Sequence, residues 1–96
     1  MKKTILITGA SSGIGRETAK FFQKKGWNVV ATMRKPELET ELTGLENVLV
    51  TKLDVLDLDS IIQAITYGME KFERIDVLLN TAGYGAYGPL ESFPRE

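Results

Sequence analysis

Thr8-Gly9-Ala10-Ser11-Ser12-Gly13-Ile14-Gly15 follows directly on the apolar run Ile5-Leu6-Ile7 and leads into an amphipathic segment. A buried strand that enters a glycine turn and leaves as a helix is the context in which a glycine loop holds phosphate. Gly9 is placed to make a turn that needs positive φ or close backbone approach. Gly13 has no Cβ to keep a pyrophosphate away from the main chain. Gly15 lets the new helix pack closely on the strand. The helix then offers unpaired N–H groups and the positive end of its dipole to an anion. At Ile14 the group of interest is the backbone N–H, with the side chain expected in the core. Ser11 and Ser12 carry hydroxyls that can bond a phosphate or ribose oxygen, and capping the helix is the other use of a serine here.

Outward from this loop, strands and helices alternate. Thr4–Thr8 is the first strand. A helix over residues 12 to about 25 places Ile14, Ala19, Phe21 and Phe22 on or near its buried side and stops at Gly26. Residues 28–32 form a Val-rich second strand. Pro36 suits the first turn of a short helix that carries Leu38 and Leu42 and ends at Gly44. Residues 47–53 form the third strand. Asp57 caps a longer helix to about residue 73, whose Leu58, Ile61, Ile62, Ile65, Met69 and Phe72 fall on one stripe at helical period. Residues 76–80 are the fourth strand. The strands are mostly apolar rather than alternating, as in a parallel sheet covered on both faces. Right-handed crossovers then predict a doubly wound, Rossmann-like α/β sheet in the order 3-2-1-4.

The composition narrows the chemistry. Ninety-six residues make one domain at most. A net charge of −1 gives no general pull toward nucleic acid or a membrane surface. With neither Cys nor His, disulfides, thiolate metal sites and the usual neutral-pH base are absent, and no metal is expected. Met1-Lys2-Lys3 superficially resembles the start of a signal peptide, but Gly9, Ser11 and Ser12 break the apolar stretch that follows too soon. No apolar run approaches the roughly 20 residues of a membrane span. A soluble cytoplasmic protein is the expectation.

The end of the second strand decides which dinucleotide fits. An NAD site usually carries an Asp or Glu there for the ribose 2′-OH. Here the residues are Ala31-Thr32-Met33-Arg34, without an acid. A carboxylate would repel a 2′-phosphate, whereas Arg34 can hold one with a charged fork, and Lys35 adds to the positive field. NADP(H) is therefore expected ahead of NAD(H), with ordinary loop charge as the alternative. Arg16 is a second cation for the same purpose, or a solvated residue of the helix's first turn. Asn80-Thr81-Ala82-Gly83 falls at the carboxyl end of the fourth strand, where an open α/β sheet binds its ligands. Asn80 is expected to bridge strand backbones, and Ala82 and Gly83 to admit the ribose closely. Tyr84 and Tyr87 continue toward a substrate, or pack beneath a further helix.

These motifs resemble the short-chain dehydrogenase/reductase family. Its glycine motif has the Thr-Gly-x-x-x-Gly-x-Gly spacing of residues 8–15 rather than Gly-x-Gly-x-x-Gly, and its Asn-Asn-Ala-Gly is close to Asn80-Thr81-Ala82-Gly83. Leu53-Asp54-Val55 is a third likeness, and order and separation fit along essentially the whole chain. The resemblance implies that Asp54 accepts from the adenine amino group and that Val55 supplies the adjacent contact. A helix-capping Asp54 is the alternative, although Asp57 suits that purpose better. Thr81 departs from the family's Asn and leaves one hydrogen bond of that turn open.

Tyr67-Gly68-Met69-Glu70-Lys71 has the family's catalytic Tyr-x-x-x-Lys spacing, but it falls in the helix before the fourth strand. At 100° per residue Tyr67 points away from the Ile61/Ile65/Met69 stripe, so it is expected on a solvated face. The family's catalytic Ser, Tyr and Lys then have no counterpart here. Residues 1–96 are expected to be the cofactor-binding half of a longer domain, stopping where another helix would start. The implied reaction is hydride transfer between NADP(H) and a small carbonyl or alcohol, by an enzyme expected to be a homo-oligomer when complete. A non-catalytic dinucleotide-binding module and a purely structural fragment are the rival readings.

Overall fold

The structure is a computed structural model of the chain, and it describes residues 2–81. Four parallel strands lie in the order β3-β2-β1-β4: β1 (Thr4–Thr8), β2 (Asn28–Met33), β3 (Val48–Lys52) and β4 (Val77–Asn80). Thr4 to Ile7 pair with Asn28 to Ala31 on one side, and Ile5 to Thr8 with Val77 to Asn80 on the other. Val29 to Met33 pair with Val48 to Lys52. The doubly wound order expected from the sequence is the order observed.

The side-chain alternation of the strands divides the core into two. Ile5, Ile7, Val29, Ala31 and Met33 face α1 (Gly13–Lys24), which contributes buried Ala19 and half-buried Phe22. Leu6 and Val30 face α2 (Leu58–Phe72), which contributes Ala64. Complete burial of chains such as Ile5, Leu6 and Ile7 is worth about 1.5–3 kcal/mol each relative to exposure. One helix on each face is what lets the central strands be apolar throughout.

Local chemistry sets the helix ends. Ser12 caps α1, its hydroxyl accepting from the Gly15 N–H at 3.1 Å. Asp57 caps α2 by accepting from the Asp59 N–H at 3.1 Å, and Glu73 closes it in the left-handed region at φ +71°.

Four expectations need correction. Ile14 is 55% exposed and Phe21 54%, so neither is a core residue. Buried Gly15 and Ala19 make the closest line of α1 to the sheet, and the bulkier neighbours stand to either side. The segment after β2 holds only a single 3-10 turn, Pro36–Leu38. Leu38 is exposed there, while Leu42 beyond the turn is fully buried. On α2 the line against the sheet is Ser60, Ala64 and Gly68, with Ile61 and Phe72 half-buried beside it. Ile62, Ile65 and Met69 are exposed. Small residues at i, i+4 and i+8 let the helix approach closely: a Cβ on Gly68 would lie 3.0 Å from Val30 Cγ2. Tyr67 is exposed, as expected. Strands three and four are also shorter than read, because Asn47 (φ +62°) is left-handed and Asp76 forms the link into β4.

Candidate functional site

Because all four strands are parallel, their carboxyl ends share one edge of the sheet. Thr8 runs off β1 into Gly9, whose φ of +68° is the left-handed turn that a glycine permits. The Ala10 N–H donates to the Thr32 carbonyl at 2.9 Å and holds the turn against β2. Ser12 completes it by donating its hydroxyl to the Gly9 carbonyl at 2.8 Å. A Cβ on Gly15 would lie 2.2 Å from the Gly9 oxygen and 2.8 Å from Ala10 Cα, so only glycine lets the first turn of α1 sit on the loop. A Cβ on Gly13 would meet nothing within 4 Å, and the space in front of that residue is open.

The end of β4 is stitched to the same loop. The Thr8 hydroxyl donates to Asn80 Oδ1 at 2.6 Å. Thr81 is buried, and its hydroxyl donates to the Thr8 carbonyl and toward the Gly9 carbonyl at 3.2 Å. Thr81, where the family usually has Asn, thus ties the end of β4 to the loop through its hydroxyl.

A cleft of about 1000 Å³ runs along this edge, from the glycine loop across the ends of β2 and β3. Of the candidate site residues singled out in the sequence, Thr8, Gly9, Ser11, Ser12, Arg16, Arg34, Lys35, Asp54, Val55 and Thr81 line it. Gly13, Ile14, Gly15 and Asn80 are not among the lining residues. Gly13 and Ile14 are exposed in the first turn of α1, whereas Gly15 is buried and Asn80 ends β4. Ala82 and Gly83, with Tyr84 and Tyr87, lie outside the described residues. Asp54 accepts from the Leu56 N–H at 2.9 Å, a local turn that fixes one carboxylate oxygen. The Ser60 hydroxyl receives the Asp54 N–H at 2.9 Å and holds the β3–α2 connection down.

The cleft carries four cations, Arg16, Arg34, Lys35 and Lys52, against two carboxylates, Glu39 and Asp54. Arg34 and Lys35 are exposed, and no ion pair forms on either among the described residues. At the end of β2, Thr32 turns its hydroxyl to the Ile7 carbonyl at 2.8 Å and Met33 is buried, so Arg34 is the first exposed side chain.

Glu39 was not visible in the sequence. Its side chain has no exposed surface, and it pairs with Arg16 at 3.2 Å. It also accepts the N–H groups of Glu41 and Leu42, each at 2.8 Å. Burial pushes this carboxyl up, but those N–H bonds and Arg16 hold it below the ordinary carboxylate value. Nothing local marks it, since it stands among acids of an irregular segment. Lys52 was likewise unmarked; only the register of β3 brings it to the cleft.

A parallel 3-2-1-4 sheet with a glycine turn at the end of β1 defines a dinucleotide-binding class of protein. The chain matches the short chain dehydrogenase family over residues 3–96. It is 44% identical over 94 residues to the oxidoreductase BOA17 of Botryotinia fuckeliana, covering 95% of this chain and 34% of that protein. It is similar to the 3-ketoacyl-(acyl-carrier-protein) reductase of Brucella melitensis solved with NADH, with a TM-score of 0.74 and 32% identity over 79% of this chain and 32% of that one. An ElxO variant with NADPH bound gives a TM-score of 0.67 and 37% identity over 83% of this chain and 34% of that one. The chain belongs to the short-chain dehydrogenase/reductase family of oxidoreductases. It spans about a third of the length of the curated relatives it matches.

Proposed function

We propose that these residues hold the adenosine and pyrophosphate of NADP(H) for an oxidoreductase acting on a small carbonyl or alcohol. One observation carries the choice of cofactor. Arg34 stands exposed in the cleft at the end of β2, with no carboxylate on Thr32 or Met33 before it. A guanidinium there attracts a 2′-phosphate, and an acid would repel it.

The open space before Gly13 and the N-terminus of α1 suit a pyrophosphate. Gly9, Ser11, Ser12 and the N–H groups of Gly13 to Gly15 would hold it, the Ser12 hydroxyl being already engaged as the cap. Asp54 and Val55, beside the end of β3, would meet the adenine. Asn80 would steady the loop through Thr8, and Ala82 and Gly83 would border the ribose. The bound nicotinamide supplies or accepts hydride, and the protein's part here is to fix its orientation. No side chain lining the described cleft is assigned as the proton donor, because Tyr67 and Lys71 lie on α2, outside it.

The test is Gly13→Val. A side chain there enters the pyrophosphate's space, and its Cβ has no other protein atom within 4 Å beyond its chain neighbours and the local helix backbone. Calorimetry should show NADPH binding lost and circular dichroism unchanged. Unaltered NADPH affinity in this variant would show that the glycine loop is not the phosphate site.

A further inference from the structure

The segment that carries Arg34 and Lys35 has almost no regular structure to hold it, only the turn Pro36–Leu38. One buried carboxylate ties it to its surroundings. Glu39 Oε2 accepts the N–H groups of Glu41 and Leu42 at 2.8 Å each, and Leu42 is sunk completely in the core. Its Oε1 takes Arg16 Nη2 at 3.2 Å, from the first turn of α1. Arg16 also reaches Glu41 at 3.6 Å, and Lys20 meets Glu41 at 2.6 Å, one turn further along the helix. The network therefore crosses between the two walls of the cleft, the glycine loop side and the Arg34 side. Among the described residues Arg16 Nε is buried and has no hydrogen-bond partner, so the guanidinium's donors are not used up by the carboxylates.

We propose that Glu39 is a positioning residue for cofactor selectivity. It clamps Arg16 and the segment bearing Arg34 and Lys35 into one wall, so that the cleft meets a phosphomonoester on the adenosine ribose with its cations at fixed separation. The inference rests on the NADP(H) reading of the cleft and adds a residue that touches no cofactor atom. It makes a prediction opposite in sign to simple electrostatics. A carboxylate lining an anion site should repel the phosphate, and its neutralisation should tighten binding. If Glu39 instead positions the cations, neutralising it loosens the wall and weakens the grip on the phosphate.

The experiment compares Glu39→Gln, Arg16→Met and Arg34→Ala with the unaltered full chain. Dissociation constants are measured for NADPH and NADH, and for adenosine 2′,5′-bisphosphate and 5′-AMP as probes of the ribose end alone. Glu39→Gln and Arg16→Met should each lower NADPH affinity about tenfold more than NADH affinity, the scale of one charged hydrogen bond. The bisphosphate should lose correspondingly more than 5′-AMP. The double variant should lose little beyond either single one, as expected for partners in one network. Equal losses for both cofactors would reduce Glu39 to a structural residue and overturn the proposal, as would an unchanged or increased preference for NADPH. Glu39→Asp, which keeps the charge but shortens its reach, decides the matter should Glu39→Gln fail to fold: it too should lower NADPH affinity more than NADH affinity, and equal losses overturn the proposal. If Arg34→Ala abolishes the preference and Glu39→Gln does not, the proposal alone falls. If the unaltered chain shows no preference, the NADP(H) reading falls with it.

Discussion

The Thr81 hydroxyl donates to the main-chain oxygen of Thr8, joining the last residue of β1 to the residue that follows β4. The Thr81 N–H reaches the same oxygen at 3.3 Å. The glycine loop thus leaves the sheet from a carbonyl held by the residue that follows the neighbouring edge strand.

Thr81→Val keeps the shape and removes the donor. The Thr8 carbonyl keeps the Thr81 N–H and the Gly9 carbonyl keeps Ser12, so what is lost is one hydroxyl bond rather than the only partner of either oxygen. The expected cost is about 0.5–1.5 kcal/mol of stability, read from denaturant unfolding. NADPH affinity should fall with it, because the loop loses its anchor. A variant as stable as the parent would show the bond to be dispensable.

Gly68 and Tyr67 are neighbours on α2 with opposite expectations. A Cβ at Gly68 would lie 3.0 Å from Val30 Cγ2 and 3.2 Å from Ile75 Cδ1, so Gly68→Ala requires these packed side chains to give by a few tenths of an ångström. Overpacking of this kind costs about 1–3 kcal/mol, more than the gain in helix propensity from Gly to Ala. Tyr67→Phe alters only an exposed hydroxyl and should leave stability and NADPH binding unchanged. Thermal unfolding of the two variants separates the cases. Loss of NADPH-dependent turnover in Tyr67→Phe would make Tyr67 catalytic after all.

Most of the fold was legible because it depends on short apolar runs bounded by glycine and acid caps. The Ile5-Leu6-Ile7 run, the cap at Ser12 and the cap at Asp57 each fixed an element locally, and connection handedness supplied the order. The helix faces were less legible. Periodicity marks apolar residues, but the line nearest the sheet on α2 is Ser60, Ala64 and Gly68, chosen for size rather than hydropathy. Around the cleft, Gly9, Arg34 and Asp54 were visible because glycine spacing and strand ends announce them. Glu39 was not, since its burial depends on Leu42 and Arg16, brought together only by the tertiary fold.

Asp76 and Glu39 contribute to the behaviour in acid. Asp76 receives the Arg74 guanidinium and the Thr4 N–H, which hold its carboxyl below the ordinary value. Both carboxylates have folded-state pKa values below their unfolded ones. Their contribution to stability is therefore fully present above the unfolded values, about 3.9 for Asp and 4.3 for Glu, and is lost as pH falls through the lower folded values. The midpoint of thermal unfolding should drop between about pH 4.5 and the folded-state values. It should drop less steeply in Asp76→Asn and in Glu39→Gln. Parallel acid profiles for parent and variants would remove these groups from the account.

The central claim is that Arg34 makes this cleft an NADP(H) site. The most direct measurement is the ratio of NADPH to NADH dissociation constants for the full chain and for Arg34→Ala, by calorimetry at one salt concentration. The account predicts tighter NADPH binding in the parent and loss of most of that preference in Arg34→Ala, about 1–3 kcal/mol for a charged hydrogen-bonding partner. Equal constants for the two cofactors in the unaltered protein, or a preference that survives Arg34→Ala intact, would contradict it.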